Sequence, residues 1–315
     1  MSLWMANLTP VASGLAMRTA RSFRFALPAV LASLLACTSG PRIVLPSVTP
    51  APTYMHHQGK FVWRDLLTHD LAGARRFYGE LFGWQFEVNA ADDSAYTVIT
   101  HAGLPIGGIF YTARIEEEVN RSQWVSYMSV TDVDLAVEQV RSAGGVVHTP
   151  PRDYPDRGRM AVVSDPQGAL VAFVRTTGGD PADGEPAINR WLWTELWTTD
   201  VEAAVSFYRT LVGYEFEMAQ VYEETSYGVL QQDGQPRAGV LQLPVEGVPP
   251  NWLAYVRVED PAAIAARVES LGGSLFLAPD EDVRNGDVAV IVDPSGAALT
   301  VQRWPPKMEE GRGER

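Results

Sequence analysis

Two carboxylates have the spacing to do chemistry. Asp65 lies two residues past Trp63, and Glu195 lies two residues past Trp193, in the matching stretches Trp63-Arg-Asp65-Leu and Trp193-Thr-Glu195-Leu. Residues i and i+2 of a strand share a face, so each carboxylate shares the face of its tryptophan. A carboxylate among Trp and Leu is costly unless it is partnered. It either binds a polar group of a ligand or works as a general base, or it is held by a structural ion pair or hydrogen bond. The residues alone leave both open. Tyr127 and Tyr255 follow Val125 and Leu253 by the same spacing and are expected on the same side. Aromatic walls of this kind suit a flat, partly apolar ligand. Trp124 and Trp252 alternate to the opposite face and are expected in the hydrophobic core.

Other chemistry is sparse. The chain has one cysteine, Cys37, and five histidines, His56, His57, His69, His101 and His148. The histidines share no ligand spacing and read as solvated loop residues; His56-His57 could hold a metal only adventitiously. Residues 190–304 contain no His or Cys, and carboxylates alone make poor transition-metal sites. Arg159, whose repeat counterpart is Asp287, reads as a surface residue. There is no phosphate loop, no Gly-x-Ser-x-Gly elbow and no dinucleotide fingerprint.

The elements that must position these residues are set by a repeat. Trp63-Arg-Asp65-Leu66 through Phe86-Glu87 recurs 130 residues later, and Trp124 through Asp165-Pro-Gln-Gly168 recurs 128 residues later. Each half is itself doubled: Asp70 to Gly83, Asp132 to Gly145, Asp200 to Gly213 and Asp260 to Gly273 all span 13 residues. The aspartate predicts a helix N-cap, and the glycine predicts a left-handed turn at the helix end. Leu71, Ala74, Phe77, Tyr78 and Leu81 recur between them at helical spacing. Short apolar strands follow, and Asp-Pro-x-Gly turns join the last two. The expected fold is α+β, with four β-α-β-β-β units in two tandem domains, 59–176 and 190–304. A Gly/Pro/Asp linker covers 177–189, and a charged tail covers 305–315.

The N-terminal end carries export chemistry. Residues 1–55 hold four arginines and no acid, which leaves 21 basic against 38 acidic residues in the remainder. So acidic a body repels phosphate backbones and argues against a nucleic-acid partner. Met17 to Arg24 is basic, residues 25–36 are uncharged, and Cys37 follows. That order describes a signal peptide, with Met17 as the expected start of translation. Leu34-Leu-Ala-Cys37 resembles the lipobox of bacterial lipoproteins, which implies acylation of Cys37 and anchoring in the cell envelope, at the outer membrane since no aspartate follows the cysteine. Residues 38–58, rich in proline, are expected as an extended tether.

Paired β-α-β-β-β units with an Asp-capped helix, Phe-Tyr near its end and a closing Asp-Pro-x-Gly hairpin resemble the vicinal oxygen chelate superfamily. That superfamily includes glyoxalase, ring-cleaving dioxygenases and bleomycin-resistance proteins. The resemblance implies curled mixed sheets around a ligand cleft. It also implies metal ligands on the first strand of each unit and on the last strand of each domain. Those positions here are Trp63, Val125 and Ala172 in the first domain and Trp193, Leu253 and Thr300 in the second, so no metal cofactor is expected. Two functions remain. One is an envelope-anchored binding module that holds a small organic molecule in a metal-free cleft lined by Trp63, Asp65, Tyr127, Trp193, Glu195 and Tyr255. The other is a lyase or dioxygenase with a non-standard site, the one case that would call for a divalent metal. The sequence leaves open whether any reaction is catalysed.

Overall fold

Each of the four repeated aspartates caps a helix in the computed structural model of the chain, which describes residues 44–88, 96–112, 122–222 and 225–306. The signal segment, Cys37 and the end of the tail lie outside the described residues. Asp70, Asp132 and Asp200 accept from Gly73 N, Leu135 N and Ala203 N at 2.8–3.0 Å, and Asp260 accepts from Ala262 N and Ala263 N. A cap of this kind is worth about 1 kcal/mol. Gly83 and Gly213 take the left-handed conformation that ends the first helix of each domain. In the second and fourth units the structure departs from expectation. There Gly144 and Gly272 turn left-handed, and not the glycines that follow them. Gly145 and Gly273 are needed for close approach instead: a Cβ would stand 2.6 Å from the Ser164 carbonyl or 2.5 Å from the Val292 carbonyl.

The first domain runs β1 (Phe61–Thr68), α1 (Leu71–Phe82), β2 (Gln85–Val88), β3 (Tyr96–His101), β4 (Leu104–Tyr111), β5 (Gln123–Ser129), α2 (Val133–Ser142), β6 (Val146–Tyr154), β7 (Gly158–Ser164) and β8 (Leu170–Thr176). The second repeats that order. It runs β9 (Trp191–Thr198), α3 (Val201–Val212), β10 (Glu215–Tyr222), β11 (Thr225–Gln232), β12 (Gln235–Gln242), β13 (Asn251–Val258), α4 (Pro261–Val268), β14 (Ser274–Leu277), β15 (Val288–Val292) and β16 (Ala298–Arg303). Each domain forms one open mixed sheet of eight strands, ordered β2-β3-β4-β1-β5-β8-β7-β6 and β10-β11-β12-β9-β13-β16-β15-β14. The first strands of the units, β1 beside β5 and β9 beside β13, are central and antiparallel.

Alternation along β1 and β9 divides the core. Trp63 lies on one face within a cluster built from the first domain and residues 44–49, and Trp193 and Trp197 lie in its counterpart in the second. Leu66 and Leu196 lie on the other face, in clusters that draw on both domains. There α1 shares a core with the fourth unit, and α3 shares one with the second. Trp124 and Trp252 sit in these shared cores, as the alternation implied.

The contacts across this junction come in symmetric pairs. Tyr78 donates to Asp293 Oδ2 at 3.1 Å and receives Trp124 Nε1 at 2.9 Å; Tyr208 donates to Asp165 Oδ2 at 3.0 Å and receives Trp252 Nε1 at 2.8 Å. Arg64 Nη2 donates to Thr194 Oγ1, its own repeat counterpart, at 2.6 Å. Contact between counterparts marks a local twofold axis between β1 and β9.

The stretch expected as an extended tether is docked where it is described. Leu45 and Val48 are buried in the first domain's inner cluster. A spacing of three returns to one side of a proline-rich extended chain, so a segment without secondary structure still presents an apolar stripe. Farther along, Thr53 N and Tyr54 N donate to Gly178 O, and His57 N donates to the buried Asp180. Linker and tether therefore clamp each other.

Asp183 of the linker joins Lys60 and Arg237 at 2.7 Å each, one cation from each domain. Burial works against its charge, but Arg237 and Lys60 outweigh it and hold the carboxyl down to about 2. A carboxyl lowered on folding adds stability above its unfolded value, and loses it as pH falls through the folded one. The stability difference between the parent and Asp183→Asn, measured by urea unfolding, should therefore shrink as pH drops from about 4 toward 2.

Candidate functional site

The face of each sheet that points away from the shared cores holds a buried polar cluster. In the first domain Asp65 is fully buried. Its Oδ1 accepts from Trp63 Nε1 at 2.8 Å and from the Tyr96 hydroxyl at 2.8 Å. Arg157, in the turn between β6 and β7, reaches over the Trp63 ring, with its guanidinium carbon 4.1 Å from the centroid. Arg157 Nη2 donates to the Tyr96 hydroxyl at 3.2 Å, and Nε donates to Pro46 O at 2.7 Å. Tyr127 completes the cluster from β5, with the Arg157 guanidinium 5.8 Å from its ring. Burial and the Asp65 charge push the Tyr96 and Tyr127 phenols well up. Burial opposes the Arg157 charge too, but Tyr96 and Asp65 overcome it and strengthen its hold on the proton.

The second domain builds the same cluster with a different closure. Glu195 Oε1 accepts from the Tyr255 hydroxyl at 2.6 Å and from Trp197 Nε1 at 3.0 Å. Its Oε2 accepts from Arg284 Nη2 at 2.9 Å, in an ion pair whose side chains are 0% and 1% exposed. Trp193 donates to Tyr227, the counterpart of Tyr96. An indole that donates to Glu195 is that of Trp197, two residues farther along the same face. Glutamate's extra methylene carries the carboxylate to the guanidinium. In the first domain the shorter Asp65 accepts from Trp63 and Tyr96 and also faces Tyr127, while its Oδ2 and Arg157 Nη1 are buried with no partner at hydrogen-bond distance.

Trp63, Asp65 and Tyr127 share one buried cluster and Trp193, Glu195 and Tyr255 its counterpart, on the sheet face opposite Leu66 and Leu196. The reading missed Arg157 and Arg284, Tyr96 and Tyr227, and Gly108 and Gly239. The repeat signals them: the tyrosines and glycines recur at 131 residues and the arginines at 127. The glycines make room, since a Cβ on Gly108 would stand 2.0 Å from the Tyr96 hydroxyl and one on Gly239 2.2 Å from the Tyr227 hydroxyl. Arg159 pairs with Asp134 and Asp153 at the surface. The histidines are half-buried, and His148, on a strand and not in a loop, bonds Ser164.

The match to known proteins decides the family. Residues 55–173 match the Glyoxalase/Bleomycin resistance protein/Dioxygenase superfamily, and residues 193–302 match the glyoxalase-like domain. The Mycobacterium tuberculosis protein named "Putative glyoxylase CFP32" is 31% identical over 254 residues, covering 80% of this chain and 97% of that protein. The chain belongs to the glyoxalase/bleomycin resistance/dioxygenase superfamily. The anthracycline biosynthesis protein DnrV of Streptomyces peucetius is 31% identical over 77% of this chain and 92% of its own length. Among solved structures, the Mn(II)-bound glyoxalase of Novosphingobium aromaticivorans has a TM-score of 0.55 at 15% identity, over 79% of this chain and 83% of that one. A homoprotocatechuate 2,3-dioxygenase variant from B. fuscum has a TM-score of 0.53 at 17% identity, over 82% and 74%. These structures share the fold.

The glyoxalase of Novosphingobium aromaticivorans holds Mn(II), so the donor set of this chain matters. Trp63, Val125 and Ala172 stand together on β1, β5 and β8, with Trp63 opposite Tyr127 and Tyr127 opposite Ala172. Thr300 pairs with Tyr255, and Leu253 with Glu195. Among the described residues no group of three or more His, Cys, Asp or Glu is placed to hold a metal ion. This donor set does not fit a transition metal. Each of the two buried clusters instead carries one carboxylate, two tyrosines and a guanidinium.

Proposed function

We propose that this superfamily member is an envelope-anchored binding protein that holds a small, partly aromatic organic molecule on an inner face of its sheets, without a metal. One observation carries the reading: the duplicated cluster places a fixed cation and carboxylate beside aromatic walls, and in the first domain both charged groups keep an open hydrogen-bonding atom. Buried polar atoms are rarely left unpaired, and a ligand would satisfy them. Dialysed, untagged protein should carry well under one equivalent of Zn, Fe, Mn or Ni by elemental analysis. One tightly held equivalent per domain would overturn the metal-free reading.

The second reading is an enzyme of lyase or dioxygenase type with a non-standard site, which the names of the mycobacterial relatives favour. A retained metal equivalent would support it. The anchor rests on the basic segment, the uncharged run and Cys37. Replacing Cys37 by Ser should move the protein from the membrane to the soluble fraction. If both forms fractionate alike, the chain is not held by an acyl group.

A further inference from the structure

We infer that binding belongs to the first domain alone: its ligand pairs with Asp65 Oδ2 and Arg157 Nη1 through a neutral group that both donates and accepts, and residues 44–49 cover these atoms. This deepens the proposed binding function and rests on it. Three observations carry it.

The first is the difference between the two copies. In the second domain the carboxylate and guanidinium close directly on each other at 2.9 Å. In the first they meet only through the Tyr96 hydroxyl, which donates to Asp65 Oδ1 and accepts from Arg157 Nη2. Both side chains are fully buried, and each keeps one unpartnered atom. The second is the chemistry of those atoms. Oδ2 can only accept from a partner and Nη1 can only donate. A carboxylate offered to Arg157 would meet the charge of Asp65, and an ammonium offered to Asp65 would meet that of Arg157. A primary amide or a hydroxyl satisfies both. Trp63, Tyr127 and Phe110 provide apolar surface in the same cluster.

The third is the cover. Leu45 and Val48 are 2% and 5% exposed within this cluster, and Pro46 O takes the Arg157 Nε proton. The cover is thus seated on the same guanidinium that offers Nη1. The second domain has no such segment from outside it among the described residues; Val283 and Trp304 of the domain itself fill the matching cluster. A ligand entering the first domain must displace residues 44–49, and its apparent affinity is lowered by the fraction of time they stay seated.

The test is calorimetric titration of the full chain with four one-ring probes: benzamide, benzoate, benzylammonium and toluene. Benzamide should bind at least about tenfold more tightly than the other three. The double change Leu45→Ala and Val48→Ala should tighten benzamide by about tenfold. Asp65→Asn should raise benzoate relative to benzamide, and Arg157→Gln should raise benzylammonium, so that two independent variants report on selection. A merely structural role would shift all four probes together. If benzamide binds but neither variant changes the order of the probes, the subsite is elsewhere and only this inference falls. If no probe binds the parent or the Leu45/Val48 variant, these atoms take no ligand and the binding function falls with the inference.

Discussion

Arg284→Ala should destabilise the protein by about 3–5 kcal/mol, because it leaves the fully buried Glu195 without its cation. In a chain of this size that is a fall of roughly 10 °C in Tm. Burial opposes the charge on Arg284, but Glu195 outweighs it and strengthens its hold on the proton. The ring faces of Tyr227 and Tyr255, 5.5 and 5.7 Å from the guanidinium carbon, add to that. The backbone shows the same demand: Arg284, Asn285 and Gly286 all have positive φ, and the non-glycine residues adopt it at some cost. That turn carries the guanidinium inward. Urea unfolding followed by tryptophan fluorescence reads the effect. A loss under 1 kcal/mol would show that Glu195 finds other donors. Replacing both partners, Glu195→Leu with Arg284→Met, should cost far less than either single loss of charge, since no unpaired ion remains.

The arrangement of the second copy explains what could and could not be read in the residues. Helix caps, the apolar spacing of α1 and the Asp-Pro-x-Gly turns are local signals, and their fourfold recurrence made the unit and its order legible. Strand alternation sufficed to put Asp65 and Glu195 beside aromatic rings and to send Trp124 and Trp252 to the other face. Arg157 and Arg284 were not legible in this way. They enter from turns, where no period assigns a face, and their 127-residue offset departs from the 128 that links Arg159 to Asp287. Docking of residues 44–49 was hidden for a related reason: proline composition describes stiffness and says nothing of an apolar stripe with a waiting surface. The exchange of partners between domains was also invisible, since neither Tyr78 nor Asp293 carries a mark of the other half.

That exchange gives the second large effect. Asp293→Ala should cost about 3 kcal/mol or more and should weaken the junction between the domains as well as its own turn. Asp293 Oδ1 accepts from Ser295 N, Ser295 Oγ and Ala297 N at 2.9 Å each, so it closes the Asp-Pro-Ser-Gly hairpin. Its Oδ2 accepts from Tyr78, whose hydroxyl takes the Trp124 indole proton. Burial raises the Asp293 carboxyl, and the turn's N–H groups pull it back only in part. Removing it strips the turn of its acceptor and leaves the Tyr78 hydroxyl buried without one, a loss of about 1.5–3 kcal/mol for a hydrogen bond to a charged group, with the uncapped turn in addition. The cross-domain share is separable. Tyr78→Phe should remove it while leaving the turn capped, and the double variant with Asp293→Ala should cost less than the two single losses added together. Coupling of 1 kcal/mol or more, in a single unfolding transition, is expected for one cooperative unit built on the twofold. Additive losses with two separate transitions would mean that the tandem domains fold independently.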